Sequence, residues 1–325
     1  MKLLKLLTIC CFVAAFIIPT VWTHTVWGQS ATEAPAGYDN LTNGFLSQTD
    51  FNSDKATFEE RDDIAKGLGP VYNTQSCAEC HQNPTTGGIS QVTELRAGHN
   101  ASNGNFVNAA GGSLINDRAI NPAIQERVPS TAENIRTFRT SLNTLGDGFV
   151  EAINSNTIVA IANNQPSQSG GQIAGLVIQV PVLEAPGNVR VGRFGWKNQQ
   201  ASLLSFSSDA YLNEQGITNR FNLVENTSVG NSVAAFDPVP DNQPCASNTS
   251  VNCGEDGDED INAFAAFMRA TKVPPRDSAL AASADAQAGQ SLFNLGLLNY
   301  SFALRTISIL MRSRMRACWS IRFLR

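Results

Sequence analysis

Residues 77–81 read Cys77-Ala78-Glu79-Cys80-His81, and the rest of the chain is interpreted around them. Two cysteines three positions apart, followed directly by a histidine, are the attachment motif of haem c. The two thiols add to the vinyl groups of the porphyrin, and the histidine ligates the iron from the proximal side. One helical turn brings both sulfurs to the same porphyrin edge. The motif therefore predicts a covalent haem on Cys77 and Cys80 with His81 as an iron ligand.

Two other interpretations of the cysteine pair explain less of the sequence. A redox-active CxxC disulfide does not require the histidine that follows Cys80. Half of a zinc site needs a second CxxC or an HxxxH pair to complete the tetrahedron, and the sequence contains neither. Haem attachment accounts for all three residues.

The amino terminus has the pattern of an export signal. Lys2 and Lys5 precede an apolar run over residues 6–18, and Gly28 ends a stretch suited to signal peptidase. We expect residues 1–28 to be removed and the protein to be periplasmic or secreted. An uncleaved membrane anchor is the alternative, although the run is shorter than the roughly 20 residues of a typical span.

Composition excludes several classes of protein. The chain has 325 residues, 42% of them hydrophobic and 16% charged, which fits neither a highly charged disordered chain nor a protein with many membrane spans. Its net charge is −5, but six of the 23 basic residues are arginines within 305–325. The body of the chain is thus strongly acidic, and nucleic acid is not expected as its partner.

Few residues are available as the sixth ligand of a haem iron. After removal of the signal, His99 is the only histidine besides His81. It is either a distal ligand or a surface loop residue. Met268 is the other candidate iron ligand, but its helical spacing with Ile261 and Phe264 also fits a core residue.

Several separated blocks resemble one known family. In order along the chain they are 73–81 (NTQSCAECH), 111–115 (GGSLI), 146–153 (GDGFVEAI), 192–197 (GRFGWK) and 209–219 (DAYLNEQGITN). With these blocks the sequence resembles the bacterial di-haem oxidoreductases of the peroxidase or thiol oxidoreductase type, from about residue 46 to about residue 294. The family is similar in outline to di-haem cytochrome c peroxidases.

The resemblance implies a fold, partners and an activity. Relatives of this type are exported and mainly α, with two cytochrome c-like haem domains, long irregular connections and one haem that relays electrons to the other. We therefore expect a haem domain over 29–150 and a second, incomplete cytochrome-like domain over 151–294. The implied partners are a periplasmic electron donor or small cytochrome, and peroxide or another small substrate.

Local composition predicts the secondary structure coarsely. Helical composition marks residues 57–68, 133–140, 153–162 and 260–271. Residues 172–182 predict a short strand or hairpin.

The chain departs from the family after residue 294. Relatives carry a second CxxCH there, whereas residues 295–325 are rich in arginine and contain Cys318 without any histidine. We expect this tail to be aberrant, through a frameshift, a sequencing error or a premature end; membrane or partner binding is the alternative. The enzyme hypothesis therefore competes with a single-haem electron carrier or an inactive truncated product.

Two residues of the 192–197 block are candidate haem contacts. A planar guanidinium suits a haem propionate, so Arg193 is a candidate partner for one. Trp196 either packs on a porphyrin or belongs to the core. The resemblance to di-haem peroxidases implies a third role, in which the tryptophan lies between two haems and aids electron relay. Asp147 and Glu151 lie on one helical face, either as an acid or base near haem or as a charge pair at a helix start.

A polar loop contains the remaining cysteine pair. Cys245 and Cys253 are eight positions apart, and in an exported protein they are expected to form a disulfide. The acidic stretch 255–260 follows and favours the amino end of a helix. Calcium binding is the alternative, although position 12 of a loop counted from Asp256 is Phe267 and not the glutamate of an EF-hand.

Overall fold

The computed structural model describes residues 33–128 and 133–296. The predicted signal peptide, and all of the predicted tail except its first two residues, lie outside the described residues. From Ala34 onward the described residues belong to one unit. Within the described ranges, no helix combines the length and apolarity that crossing a bilayer requires.

Eight α-helices occur in the described ranges. They are α1 (Gln48–Glu59), α2 (Cys77–Cys80), α3 (Asp147–Glu151), α4 (Ser155–Gln168), α5 (Leu203–Ala210), α6 (Asp260–Ala270), α7 (Ser278–Ala281) and α8 (Ala284–Gly296). A π-helical turn, Tyr211–Gln215, continues α5.

The strands form small antiparallel sheets. They are β1 (Val71–Tyr72), β2 (Thr93–Asn100), β3 (Phe106–Asn108), β4 (Leu114–Ile115), β5 (Arg118–Ala119), β6 (Ile135–Thr140), β7 (Gln179–Pro181) and β8 (Val189–Val191). In the largest sheet, β6 runs along one edge of β2, while β3 and β4 share the other edge. The strand pairs β1–β5 and β7–β8 stand apart from it.

The mainly α prediction is wrong. The structure is 30% helix and 16% strand, and it does not show a cytochrome-like fold. Within residues 133–140, predicted as helix, 135–140 instead form the strand β6. Ile135, Phe138 and Thr140 are β-branched or aromatic residues that favour a pleated strand, and six consecutive residues of β6 pair with β2.

Other element predictions agree with the structure to different degrees. The helix predicted over 260–271 corresponds to α6, and the helix predicted over 153–162 overlaps the first part of α4. The strand predicted over 172–182 is β7, paired with β8. The helix predicted over 57–68 is wrong, because α1 ends at Glu59 and only one 3₁₀ turn, Ile64–Lys66, follows.

The main core lies where α1, α5 and α6 meet. Residues Ile261, Phe264, Ala265 and Met268 recur at helical spacing on α6 and are all buried. They pack with Phe51 and Phe58 from α1, Leu203 from α5 and Tyr211 from the π turn. Because α1 and α6 are about 200 residues apart in sequence, this core joins the first half of the chain to the second.

Candidate haem site

The CxxCH motif forms a short helix on top of the main core. Ser76 caps α2, its hydroxyl accepting a hydrogen bond from the backbone N–H of Ala78 at 3.2 Å. His81 ends the helix, and its N–H donates to the carbonyl of Cys77 at 3.0 Å. Cys77 and Cys80 are both free thiols. The sequence therefore folds locally as haem attachment requires, with two sulfurs one turn apart and the imidazole next to them.

The two thiols do not have the properties of a redox pair. Burial raises the pKa of Cys80 to about 11, and it raises the pKa of Cys77 still further. A reactive CxxC needs the opposite, because its nucleophile is a thiolate with a lowered pKa. Both thiols are therefore protonated at neutral pH, which disfavours the redox-disulfide interpretation.

A tight loop holds the imidazole of His81. Its Nδ1 lies 3.1 Å from the carbonyl oxygen of Gly88. Burial lowers the pKa of His81, so the imidazole is neutral, the form that ligates metals. A neutral ring that donates from Nδ1 to a backbone carbonyl is held in one tautomer and one orientation, an arrangement common among histidines that ligate metals.

In the loop after His81, the backbone at Asn83 lies very close to the backbone at residues 88 and 89. The N–H groups of Asn83 and Ile89 each donate to the other residue's carbonyl, at 2.9 and 2.8 Å, and the N–H of Gly87 donates to the carbonyl of His81 at 2.8 Å. A Cβ added to Gly88 would lie 1.9 Å from the carbonyl oxygen of Asn83. Only glycine fits there, so the position of the carbonyl that holds His81 depends on Gly88.

An aromatic cluster lies beneath the motif. The ring of Phe58 meets the His81 ring edge-on, with centroids 6.2 Å apart, and it contacts Phe264 and Phe267 at 6.0 and 4.8 Å. Cys77 and Ala78 pack against the same cluster. This apolar floor excludes water from one side of the motif.

A buried acidic network lies close to Cys77. The Tyr211 hydroxyl lies 3.2 Å from Asp62 Oδ2 and 3.4 Å from Asp260 Oδ2, and its one hydrogen is available to either carboxylate. Burial, together with the nearby Asp260 carboxylate, raises the pKa of Asp62 to about 7. The Asp62 carboxyl can therefore hold or release a proton near neutral pH.

The candidate sixth ligands lie in different places. Met268 is buried in the main core, in the cluster against which Cys77 packs. His99 lies on β2, where its Nδ1 is 2.9 Å from the carboxylate of Glu133 and about a third of its side chain is exposed. In the described ranges, no hydrogen bond or ring contact joins His99 to the CxxCH motif. Ligation by either residue stays a prediction.

Arg193 and Trp196 are engaged within the protein. The Arg193 guanidinium donates to the carbonyls of Val150, Glu151 and Ile153 at 2.6 to 3.2 Å, and so holds the carboxyl end of α3. The Trp196 ring is half exposed, and its Nε1 donates to the carbonyl of Thr140 at 3.2 Å. Their contact with a haem stays a prediction.

The second cysteine pair and the acidic stretch after it lie together. Cys245 and Cys253 form a disulfide. Within the acidic stretch, Asp256 accepts a hydrogen bond from the N–H of Asp260 at the start of α6, as expected for negative charge at a helix amino end. Glu255 points elsewhere, toward Thr218.

Asp147 and Glu151 have different environments. Glu151 accepts two hydrogen bonds from Arg269, at 2.6 and 2.9 Å, and one from the N–H of Leu203 at 2.7 Å. These contacts tie α3 to α5 and α6. Burial, and the nearby Glu151 carboxylate, raise the pKa of Asp147 to about 7.

Sequence reasoning did not find the residues that support His81. Phe58 is one of 17 phenylalanines in the chain, and no sequence motif around it distinguishes it from the others. The Gly87-Gly88 pair did carry a signal, since adjacent glycines shortly after a ligand residue indicate a turn with close backbone approach.

The residues present fit a covalently bound haem c. Two free, unpaired thiols lie one helical turn apart, a neutral imidazole is oriented through its Nδ1, and apolar rings line one side. This donor set suits haem iron and does not suit a zinc site, since no further histidine or thiol contacts it among the described residues.

Comparison with known proteins identifies the family. The family model for di-haem oxidoreductase, putative peroxidase, matches residues 125–295, just over half of the chain and the part that follows the CxxCH motif. No curated protein and no solved structure matches the chain. On the family match, the chain belongs to the di-haem oxidoreductase, putative peroxidase family.

Proposed function

We propose that the protein is an exported c-type cytochrome oxidoreductase, which transfers electrons and reduces peroxide at a haem attached to Cys77 and Cys80. The observation that carries the proposal is the capped helix α2, with its two free thiols and the oriented imidazole of His81. Membership of an oxidoreductase family supports the class of reaction.

The chain's own residues have distinct tasks in this proposal. Cys77 and Cys80 hold the group covalently, and His81 presents a fixed imidazole nitrogen to the iron. When bound, haem iron supplies one-electron transfer and the two-electron reduction of peroxide to water. The rings of Phe58 and Phe264 exclude water from one side. Asp62 lies near the motif, and its pKa of about 7 lets its carboxyl hold a proton near neutral pH.

Export and partners belong to the same proposal. A haem c is attached outside the cytoplasm, and a disulfide between Cys245 and Cys253 persists in an oxidising compartment. We therefore place the protein in the periplasm or outside the cell, with a periplasmic electron donor or small cytochrome as its partner.

A second candidate function rests on the haem count. The family is di-haem, but the chain has one CxxCH. A single haem without a second redox centre favours an electron carrier that does not turn over peroxide.

Peroxide turnover separates the two candidates. The full chain, expressed with a haem c maturation system, is mixed with a reduced dye and hydrogen peroxide, and dye oxidation is followed. Oxidation that is lost in Cys77→Ala/Cys80→Ala supports the peroxidase. A haem-loaded protein that exchanges electrons with the dye but ignores peroxide supports the carrier.

A matched control removes the other cysteine pair. Cys245→Ala/Cys253→Ala lacks the same number of cysteines and should retain haem, although it should unfold more easily. If both double variants keep haem and turnover, the assignment of the site to Cys77 and Cys80 is wrong.

A further inference from the structure

Four acidic side chains converge at a place remote in sequence from the CxxCH motif. Glu225, Asp237, Asp241 and Glu255 each offer one carboxylate oxygen, and these four oxygens all lie within 4.8 Å of one another. We call this group the carboxylate cluster. It differs from the loop that the sequence indicated for calcium, because only Glu255 belongs to the stretch 255–260.

Backbone contacts hold the cluster together. The N–H of Thr218 donates to Glu255 Oε2 at 3.0 Å, and the Thr218 hydroxyl donates to Asp241 Oδ1 at 2.7 Å. The disulfide between Cys245 and Cys253 closes the loop between the last two acids. Thr218 thus holds two of the four carboxylates, and the disulfide constrains the segment between them.

The cluster contains buried oxygens that nothing in the described part of the chain satisfies. Glu255 is only 8% exposed, and its Oε1 has no hydrogen-bond partner. Both carboxylate oxygens of Glu225 are also buried, and the group that they contact is the carboxyl of Asp241, another member of the cluster. A buried carboxylate oxygen without a donor is costly, and such atoms call for an unseen water or ion.

The cluster has no ion-pair partner in the described part of the chain. Among residues 33–128 and 133–296, no Lys, Arg or His forms an ion pair with a member of the cluster. Burial and the neighbouring carboxylates raise the pKa of Glu225 to about 10 and that of Glu255 to about 8. The apo cluster therefore relieves its repulsion by holding protons, and a bound cation would relieve it instead.

We propose that the carboxylate cluster binds one divalent cation, and that this cation is Ca²⁺. The ligands are all oxygen atoms from carboxylates, the set that hard cations prefer, and no imidazole or thiolate takes part. Ca²⁺ binds oxygens at about 2.3 to 2.6 Å, so ligands on opposite sides of it are up to about 5 Å apart. Mg²⁺ usually keeps several waters and is bound through one or two carboxylates, so four carboxylates at one place suit Ca²⁺ better.

The cation would clamp two segments. Glu225 follows the π turn and its connecting loop, whereas Asp237 and Asp241 precede the disulfide loop and Glu255 follows it, just before α6. Since α6 carries much of the main core, a cation here would stabilise the chain without contacting the CxxCH motif.

Calcium titration of the full chain tests the proposal. Protein stripped with a chelator is titrated with CaCl₂ in a calorimeter, and its thermal midpoint is followed in parallel. We expect one Ca²⁺ per chain, a midpoint that rises with calcium concentration, and weaker binding of Mg²⁺. Absence of stoichiometric calcium binding to the wild-type chain would overturn the proposal.

Two matched variants locate the site. Glu225→Gln removes a ligand charge and should weaken calcium binding by about tenfold or more. Asp258→Asn removes an exposed carboxylate outside the cluster and should leave affinity within about twofold of wild type. Equal weakening in both variants, or none in Glu225→Gln, would show binding to a diffuse acidic surface and would refute the site.

Failure of this proposal is distinguishable from failure of the proposed function. Haem content is measured on the same samples, and calcium binding is expected in both haem-loaded protein and the Cys77→Ala/Cys80→Ala variant. If Glu225→Gln does not fold, the wild-type stoichiometry alone still decides the question.

Discussion

Replacing Gly88 with alanine tests how the structure holds His81. The added Cβ would lie 1.9 Å from the carbonyl oxygen of Asn83 and 2.5 Å from its carbon, whereas ordinary van der Waals contact begins near 3.4 Å. One side of the loop must therefore move by about 1.5 Å. A shift of that size is too large for the hydrogen bonds between Asn83 and Ile89 and for the contact of His81 Nδ1 with the Gly88 carbonyl.

The expected cost combines strain with lost hydrogen bonds. Overpacking typically costs about 1 to 3 kcal/mol, and each lost hydrogen bond adds about 0.5 to 1.5 kcal/mol. We expect Gly88→Ala to reduce the free energy of unfolding by about 3 kcal/mol and to lower the haem content of the purified protein. The measurements are denaturant unfolding and the haem-to-protein absorbance ratio.

A glycine in open space provides the control. Gly289 lies on α8, and a Cβ there would meet nothing within 4 Å. Gly289→Ala should keep the wild-type haem content and unfold no more easily, since alanine favours helix. Wild-type stability and haem content in Gly88→Ala would refute the close approach and the support that it gives to His81.

Three further perturbations test other parts of the structure. Glu151→Ala leaves the guanidinium of Arg269 without its carboxylate; because both side chains are partly exposed, we expect a loss of about 2 kcal/mol in denaturant unfolding at pH 7. Arg269→Lys should cost less, because it keeps the positive charge and loses only the bidentate geometry. Asp147 has a native pKa of about 7 against 3.8 in the unfolded chain, so the native state binds the extra proton and stability should fall as pH rises from about 4 to 7. Asp147→Asn should flatten that pH profile by up to about 4 kcal/mol, and an unchanged profile would contradict the assignment. Opening the disulfide with Cys245→Ala/Cys253→Ala should cost about 2 to 3 kcal/mol for a loop of this size, measured against wild type under oxidising conditions.

Features with a short sequence span could be predicted well. The CxxCH motif needs only five residues and one helical turn, and the structure forms that turn. The helical spacing of Ile261 and Phe264 likewise predicted a buried face on α6, because a 3.6-residue period is visible in sequence.

Features that depend on distant partners could not be predicted. Residues 133–140 have ambiguous composition, and their strand form is fixed by pairing with β2, about 40 residues earlier. Arg193 looked available for a propionate, but its place beside the carbonyls of α3 depends on how two distant segments pack. The carboxylate cluster is also non-local, since its members span residues 225–255. A search for a twelve-residue calcium loop that begins at Asp256 could not find them.

The most direct test of the account is the mass of the peptide that contains Cys77 and Cys80. The full chain, expressed with a haem c maturation system, is digested and analysed by mass spectrometry without reduction. We expect a single covalent haem on that peptide, with both thiols consumed. A peptide that carries two free thiols or an internal disulfide, with no added haem mass, would contradict the account.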